Sequence, residues 1–204
     1  MQLSLSDLLI IVPVLFVSMA VHESMHAFTS FWLGDDTAQL QGRISLNPLR
    51  HIDPFTTLVL PVITLVLFGV PLLAAKPVPF NPLKVRFEEF GAALVGIAGP
   101  LSNAVLALIG AGILHLIGGG SDIIVRILSI FIELNVALFI FNMIPIPPLD
   151  GSRLLYAFAP EGLQEIMARL EQFGVFIIFA LILVFPGFTN LLINLNQSLL
   201  KFLV

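Results

Sequence analysis

Residues 19–28 read MAVHESMHAF, and they lie inside an apolar run at 8–33. Two histidines and a glutamate therefore stand where a hydrocarbon environment tolerates charge least. A membrane span needs about 20 mainly apolar residues, and ionisable groups within one mark function by default. Composition supports a membrane setting. Of 204 residues, 58% are hydrophobic and 11% charged, against roughly 45–50% and 25% in soluble domains. Mean hydropathy is +1.05. The formal net charge of −4 rests on too few groups to define an acidic or basic surface. No basic stripe with interleaved aromatics suggests a nucleic-acid partner. Cysteine is absent, which excludes disulfides and thiolate metal sites. The opening MQLSLSDLLI lacks the basic region of a secretory signal. The first run is therefore expected to be a permanent helix of one integral membrane domain, residues 1–204.

Outward from that run, Gly34 and the Asp35-Asp36 pair close it. In AQLQGRISL (38–46), Leu40, Ile44 and Leu46 alternate with Gln39, Gln41, Arg43 and Ser45. This period of two predicts a strand, a small membrane-associated β element near 38–46. Further apolar runs occupy 55–75, 91–117, 123–144 and 173–185. The expected fold is an all-α polytopic membrane bundle of about 4–6 transmembrane helices. The run 55–75 is broken by Pro61, Gly69 and Pro71, and flanked by the near-copies LNPLR (46–50) and FNPLK (80–84). An amphipathic stretch at 160–172 precedes the run at 173–185. The tail at 187–204 mixes leucines with Asn and Gln. It reads either as an interfacial helix or as a short sixth span.

His22-Glu23-Ser24-Met25-His26 is an HExxH pattern. On a helix, residues i and i+4 share a face about 6 Å apart along the axis, so both imidazoles can reach one metal ion. Glu23 is displaced around the helix, placed to act as a base on water rather than to bind the metal. This is the division of labour in zinc peptidases. The plainer reading is two structural histidines satisfied by neighbouring helices. A catalytic zinc site takes three protein ligands, and the third is open at this point. His51 reads as a loop residue and His115 as a helix-end residue, while Asp35, Asp36, Asp53 and Asp122 read as solvated turn residues. Asp150 differs, because it closes FNMIPIPPLDG (141–151), where prolines must unwind the chain after an apolar helix. Unwound backbone at membrane depth is tolerated only where protein or a water-filled cavity surrounds it. That suits a third ligand. An N-cap for GSRLLYAF (151–158) suits Asp150 equally, and the two roles can coexist.

HESMHAF (22–28), AGPLSN (98–103) and FNMIPIPPLDGSRLL (141–155) together resemble the site-2 protease family of intramembrane zinc metallopeptidases. The resemblance covers most of residues 10–160 and suits the compact single-domain form, with no PDZ or CBS module and a catalytic core at about 8–155. It implies His22, His26 and Asp150 as ligands of one Zn2+ ion and Glu23 as general base. It implies that Asn142 orients or stabilises the scissile carbonyl, the plain alternative being an interhelical hydrogen bond. Asn103 matches a family position, with helix packing as its expected role. The implied partners are the lipid bilayer and a membrane-protein substrate whose transmembrane helix is cut. The run 55–75 is a departure, since the family's minimal core needs no full span there.

Ligands on two helices must meet at one depth. His22 and His26 lie roughly 10–18 Å from the end of the first helix, at 1.5 Å per residue, and Asp150 follows the end of the run 123–144. Those two helices must then run in the same sense, with the third opposed. The run 55–75 reads as a re-entrant or surface hairpin on this basis, against a complete span. Arg43, Arg50, Lys76, Lys84, Arg86 and Arg153 then share one face, which the positive-inside rule makes cytoplasmic. The expected location is the cell (inner) membrane, with the site nearer that face. The segment 38–46 reads either as a strand that an unwound substrate joins or as a plain surface hairpin. The alternative function is a non-hydrolytic metal site, a transporter or sensor, in which Glu23→Gln keeps function. A transporter would usually show inverted repeats, and the sequence offers only the short NPL echo.

Overall fold

The computed structural model describes residues 5–53, 78–118 and 121–204, and every regular element among them is helical. Helix α1 is Leu5–Trp32, the apolar run that carries HESMHAF. It ends on Gly34 at φ +106°. Gly34 N–H donates to Phe31 O, and Asp35 N–H to Ser30 O at 2.9 Å. These are the paired bonds of a Schellman motif, which needs a residue free to adopt left-handed backbone. A short helix α2, Thr37–Leu40, follows, then a 3-10 turn at Pro48–Arg50. Helix α3 is Glu88–Ile117 and runs unbroken through Pro100. Helix α4 is Asp122–Asn142. An irregular loop leads to α5, Gly151–Phe158. The chain closes with α6 (Glu161–Glu171), α7 (Gly174–Val184) and α8 (Pro186–Leu203).

The strand expected at 38–46 is corrected. The Asp35 carboxylate accepts from Thr37 N–H at 3.0 Å and so starts a helical turn instead. Gly42, at φ +65°, closes that turn, with Arg43 N–H donating to Ala38 O at 2.9 Å. Alternating side chains do not make a strand without a partner edge, and local capping decides. Residues 43–47 carry no regular assignment. The expected re-entrant segment at 55–75 lies outside the described residues.

Among the described residues three helices, α1, α3 and α4, are long and apolar enough to cross a membrane, and a fourth span arises if α6 and α7 count as one span bent by 83°. Alone, α7 is about 16 Å long against the roughly 30 Å of a hydrocarbon core. The tail is a helix that does not qualify as a span by composition. Through Leu200 and Leu203 it packs on the cluster of Ala107, Ala111, Ile132 and Val136 between α3 and α4. Small residues let these two helices approach: a methyl group on Gly110 would already touch Ile132 and Phe131 at 3.0 Å. Close backbone approach through small side chains is how helices associate where lipid offers no hydrophobic drive.

The directions of the spans follow from side-chain links. Arg126 on α4 donates to Asp7 on α1 at 3.0 Å, joining their N-terminal ends. Arg86 N–H, just before α3, donates to Leu33 O at the end of α1, at 2.9 Å. Helices α1 and α4 therefore run parallel and α3 runs against them, as two ligand-bearing segments meeting at one depth require. Leu9, Val105, Leu108 and Ile113 stay exposed on the outer faces, where lipid is the solvent.

Candidate metal centre

Helix spacing and one irregular loop build the site. His22 and His26, one turn apart on α1, point their Nε2 atoms at each other, 3.0 Å apart. Asp150 Oδ2 completes a triangle at 3.1 Å from His22 Nε2 and 3.3 Å from His26 Nε2. The carboxylate sits at the N-cap position of α5 yet makes no capping hydrogen bond. Its side chain is turned to the histidines, so the capping role is not the one it fills.

The loop 143–150 can reach this depth because it satisfies its own backbone. Met143, Ile146, Leu149 and Ser152 N–H groups donate to carbonyls within a few residues of themselves. Unsatisfied polar backbone would not be tolerated there. Gly151 makes the turn feasible: a methyl group on it would collide with the Met143 carbonyl and come within 2.8 Å of Ile144 O. The first turns of α5 then lie on α3, where a methyl group on Gly96 would meet Arg153 Cβ at 2.9 Å and Asp150 O at 3.1 Å.

The donor set fits a zinc ion. Tetrahedral Zn2+ with bonds of about 2.0–2.1 Å holds its ligand atoms roughly 3.3 Å apart, close to the spacings found. Each histidine also has its second ring nitrogen engaged, which fixes which nitrogen keeps a lone pair. His26 Nδ1–H donates to Val95 O at 2.7 Å. His22 Nδ1–H donates to Asn103 Oδ1 at 2.6 Å. Both Nε2 atoms are thus left as acceptors, the arrangement metal-bound histidines show. Gly99 on α3 forms the floor: a methyl group there would stand 2.7 Å from His22 Nε2 and closer still to His26 Nε2. Both histidines are buried. Among the described residues, His22, His26 and Asp150 are the cluster able to hold a metal.

Glu23 lies beside the cluster rather than in it. Its Oε2 accepts from Val78 N–H at 3.2 Å, on the segment that leads into α3. Asn142, at the last turn of α4, donates from its amide to Leu138 O at 3.0 Å, with no hydrogen bond to the three clustered residues. His115 is the helix-end residue expected, donating to Ala111 O at 2.8 Å. His51 is the loop residue expected, in the turn after Pro48–Arg50, but a buried one: it donates from Nε2 to Ser45 O at 2.7 Å, and its Nδ1 has no hydrogen-bond partner among the described residues. Asp35 is no solvated turn residue. It is fully buried and takes the Asn81 N–H at 2.7 Å, which ties the segment before α3 to the end of α1. Outside the spans, Lys84 Nζ donates to exposed Asp36 at 2.7 Å. That hydrogen bond, and then the attraction of the charges, holds the Asp36 carboxyl below its usual range and the Lys84 ammonium above its own.

Sequence reasoning missed the role of Asn103 and the need for Gly99. A signal existed: the two are i and i+4 on α3, so AGPLSN presents a gap and an amide on one helix face. What that face would meet was not readable.

A buried two-histidine, one-carboxylate centre with a glutamate beside it, inside a bundle of apolar helices, defines a membrane-embedded metallopeptidase. The family model for Peptidase family M50 matches residues 118–185, the part that contains Asp150. "Putative zinc metalloprotease YwhC" of Bacillus subtilis (strain 168) is 40% identical over 192 residues, covering 90% of this chain and 83% of that protein. "Putative zinc metalloprotease Rip2" of Mycolicibacterium smegmatis is 29% identical over 175 residues, 84% of this chain and 65% of that protein. No solved structure matches the chain. The chain belongs to Peptidase family M50, the site-2 protease family, and as a member it is an integral membrane protein and an intramembrane zinc metalloprotease.

Proposed function

We propose that the protein is an endopeptidase of the HExxH type that hydrolyses a peptide bond in or near a transmembrane helix of a membrane-protein substrate. His22, His26 and Asp150 hold the single zinc ion and Glu23 is the general base. One observation carries this reading: donors 128 residues apart in sequence meet at 3.1 Å, with a carboxylate next in line on the same helix. Zinc bound there lowers the pKa of water and polarises a carbonyl. Glu23 takes the proton of the attacking water and delivers it to the leaving amine. The Val78 N–H on one carboxylate oxygen fixes the orientation of that base and leaves the other oxygen for the proton. Asn142 shares the end of α4 with the loop that bears Asp150; one of its two amide N–H groups donates to Leu138 O, and the other is the donor for the scissile carbonyl oxygen.

A helical substrate hides its backbone and must unwind to be cut. The irregular stretch 43–47 is tied to α1 by the Ser24 hydroxyl, which donates to Ser45 O at 2.5 Å. It lies beside the HExxH helix, a sensible place for an extended substrate to add by backbone pairing. We place residues 1–204 in one domain with about four to six crossings, in the cell membrane, the site nearer the cytoplasmic face. The gathering of basic residues at the C-terminal end of α1 supports this orientation. Lys84 pairs with Asp36 there, and Arg153 stands 4.5 Å over the Phe80 ring. Proteomics of membrane fragments from cells carrying the wild type or Glu23→Gln tests the function. Fragments that vanish with Glu23→Gln, at unchanged zinc content, support it. A fragment pattern that is the same in both sinks it in favour of a non-hydrolytic metal site.

A further inference from the structure

Behind the metal centre lies a second polar cluster, with Ser18 on α1, Asn103 on α3 and Asn135 on α4 all fully buried. Asn135 Nδ2 donates to Phe131 O at 2.8 Å and to Ser18 Oγ at 2.9 Å. Asn103 Nδ2 donates to Asn135 Oδ1 at 3.0 Å and to Ser18 O at 3.4 Å. Asn103 Oδ1 then receives the His22 Nδ1–H.

The direction of every bond in this chain is forced. A backbone carbonyl can only accept, so Phe131 O fixes Asn135 with its nitrogen toward Phe131. The Asn135 oxygen must then face Asn103. That oxygen can only accept, so Asn103 presents nitrogen to it and oxygen to His22. An oxygen facing Nδ1 keeps the His22 proton on Nδ1 and the lone pair on Nε2, the atom 3.1 Å from Asp150. A reversed Asn103 amide would offer a donor to Nδ1, draw the lone pair there and put the proton on the nitrogen that must bind the metal. His26 needs no such relay, since Val95 O holds its ring directly.

We infer that Asn135 and Ser18 are positioning residues that orient the Asn103 amide and through it select the metal-binding tautomer of His22. The inference rests on the reading of His22 as a zinc ligand. Loss of an outer partner of a metal-bound histidine typically weakens metal affinity 10–100-fold.

The test is zinc affinity of the full-length protein in detergent, by competition with a chromophoric chelator. It is paired with the ring N–H resonance of His22 in the zinc-loaded, 15N-histidine-labelled protein, where only four histidines contribute. Asn135→Leu and Asn103→Leu should each lose about 10–100-fold in zinc affinity and shift or broaden the His22 N–H signal. The His26 ring N–H signal, held by the Val95 carbonyl, should stay in place in both variants. Unchanged affinity and His22 signal in Asn135→Leu would overturn the inference. So would a His26 signal that shifts as much as that of His22, which would make Asn135 a packing residue. Should Asn135→Leu fail to fold, unchanged affinity and His22 signal in Asn103→Leu overturn it. His22→Phe in the same titration separates the two levels: retained zinc affinity there removes the ligand reading itself, and the relay with it.

Discussion

The two halves of the candidate metal centre are built by opposite means. The histidine half stands on α1, where the 3.6-residue helical repeat alone brings His22 and His26 to one face. The carboxylate half stands on a loop with no repeating geometry, and reaches the site because Gly151 lets the chain fold back onto Met143. Regular structure supplies position from spacing. Irregular structure supplies it through individual close contacts, and each contact is a separate point of failure. The histidine half has its own such points, but they lie on α3: Gly99, which leaves the space, and Asn103, which holds one ring.

The comparison can be broken most forcefully at Gly99. Gly99→Val leaves both histidines and Asp150 in the chain and favours helix slightly over glycine, yet fills the space in front of both Nε2 atoms. Zinc content and cleavage should fall to background while far-UV circular dichroism is unchanged. Wild-type zinc content would show that the metal sits elsewhere. Next comes Gly151→Ala on the loop half. Overpacking against the Met143 carbonyl should destabilise the protein by roughly 1–3 kcal/mol and displace Asp150. Denaturation in detergent and chelator titration should move together; a shift in stability alone would separate the loop's fold from its metal role.

Arg153→Ala removes the guanidinium over Phe80 and its 3.8 Å approach to Glu171, both beside the loop but outside the donor triangle. A loss of about 0.5–1 kcal/mol is expected, with zinc affinity unchanged. The smallest effect is at the exposed Asp36–Lys84 pair. The Asp36 pKa is depressed, so its contribution is present above the ordinary carboxylate value of 3.8 and is lost as pH falls through the folded-state value. The Lys84 pKa is raised, so its contribution is present below 10.5 and lost as pH rises through the folded-state value. Thermal unfolding of Lys84→Ala should match wild type at both pH extremes and differ, slightly, only between them. A difference that persists at the acid end would assign Lys84 another role.

What the sequence made legible follows the same division. The spans α1, α3 and α4 and the shared face of His22 and His26 follow from local periodicity. Asp150 was legible as a candidate because prolines force the chain to unwind before it; an N-cap suited it equally, and the resemblance to the site-2 protease family decided between the two. Residues whose role depends on a distant partner were not readable. Asp35 looks like a solvated turn residue until Asn81, 46 positions away, brings its N–H to it. Asn103 looks like helix packing until α1 supplies the His22 ring. The strand expected at 38–46 failed for the converse reason: alternation is a statement about faces, and the Asp35 carboxylate on Thr37 N–H and the left-handed turn at Gly42 settled the backbone locally before any partner strand could.

That the two halves converge on one ion is tested most directly by X-ray absorption at the zinc edge of the zinc-loaded, full-length protein. Two imidazole ligands and oxygen donors at about 2.0–2.1 Å are expected, with the oxygen shell reduced in Asp150→Ala and the imidazole count unchanged. A count of three imidazoles, which would bring in His51 or His115, or an oxygen shell indifferent to Asp150→Ala, would contradict a centre made of His22, His26 and Asp150.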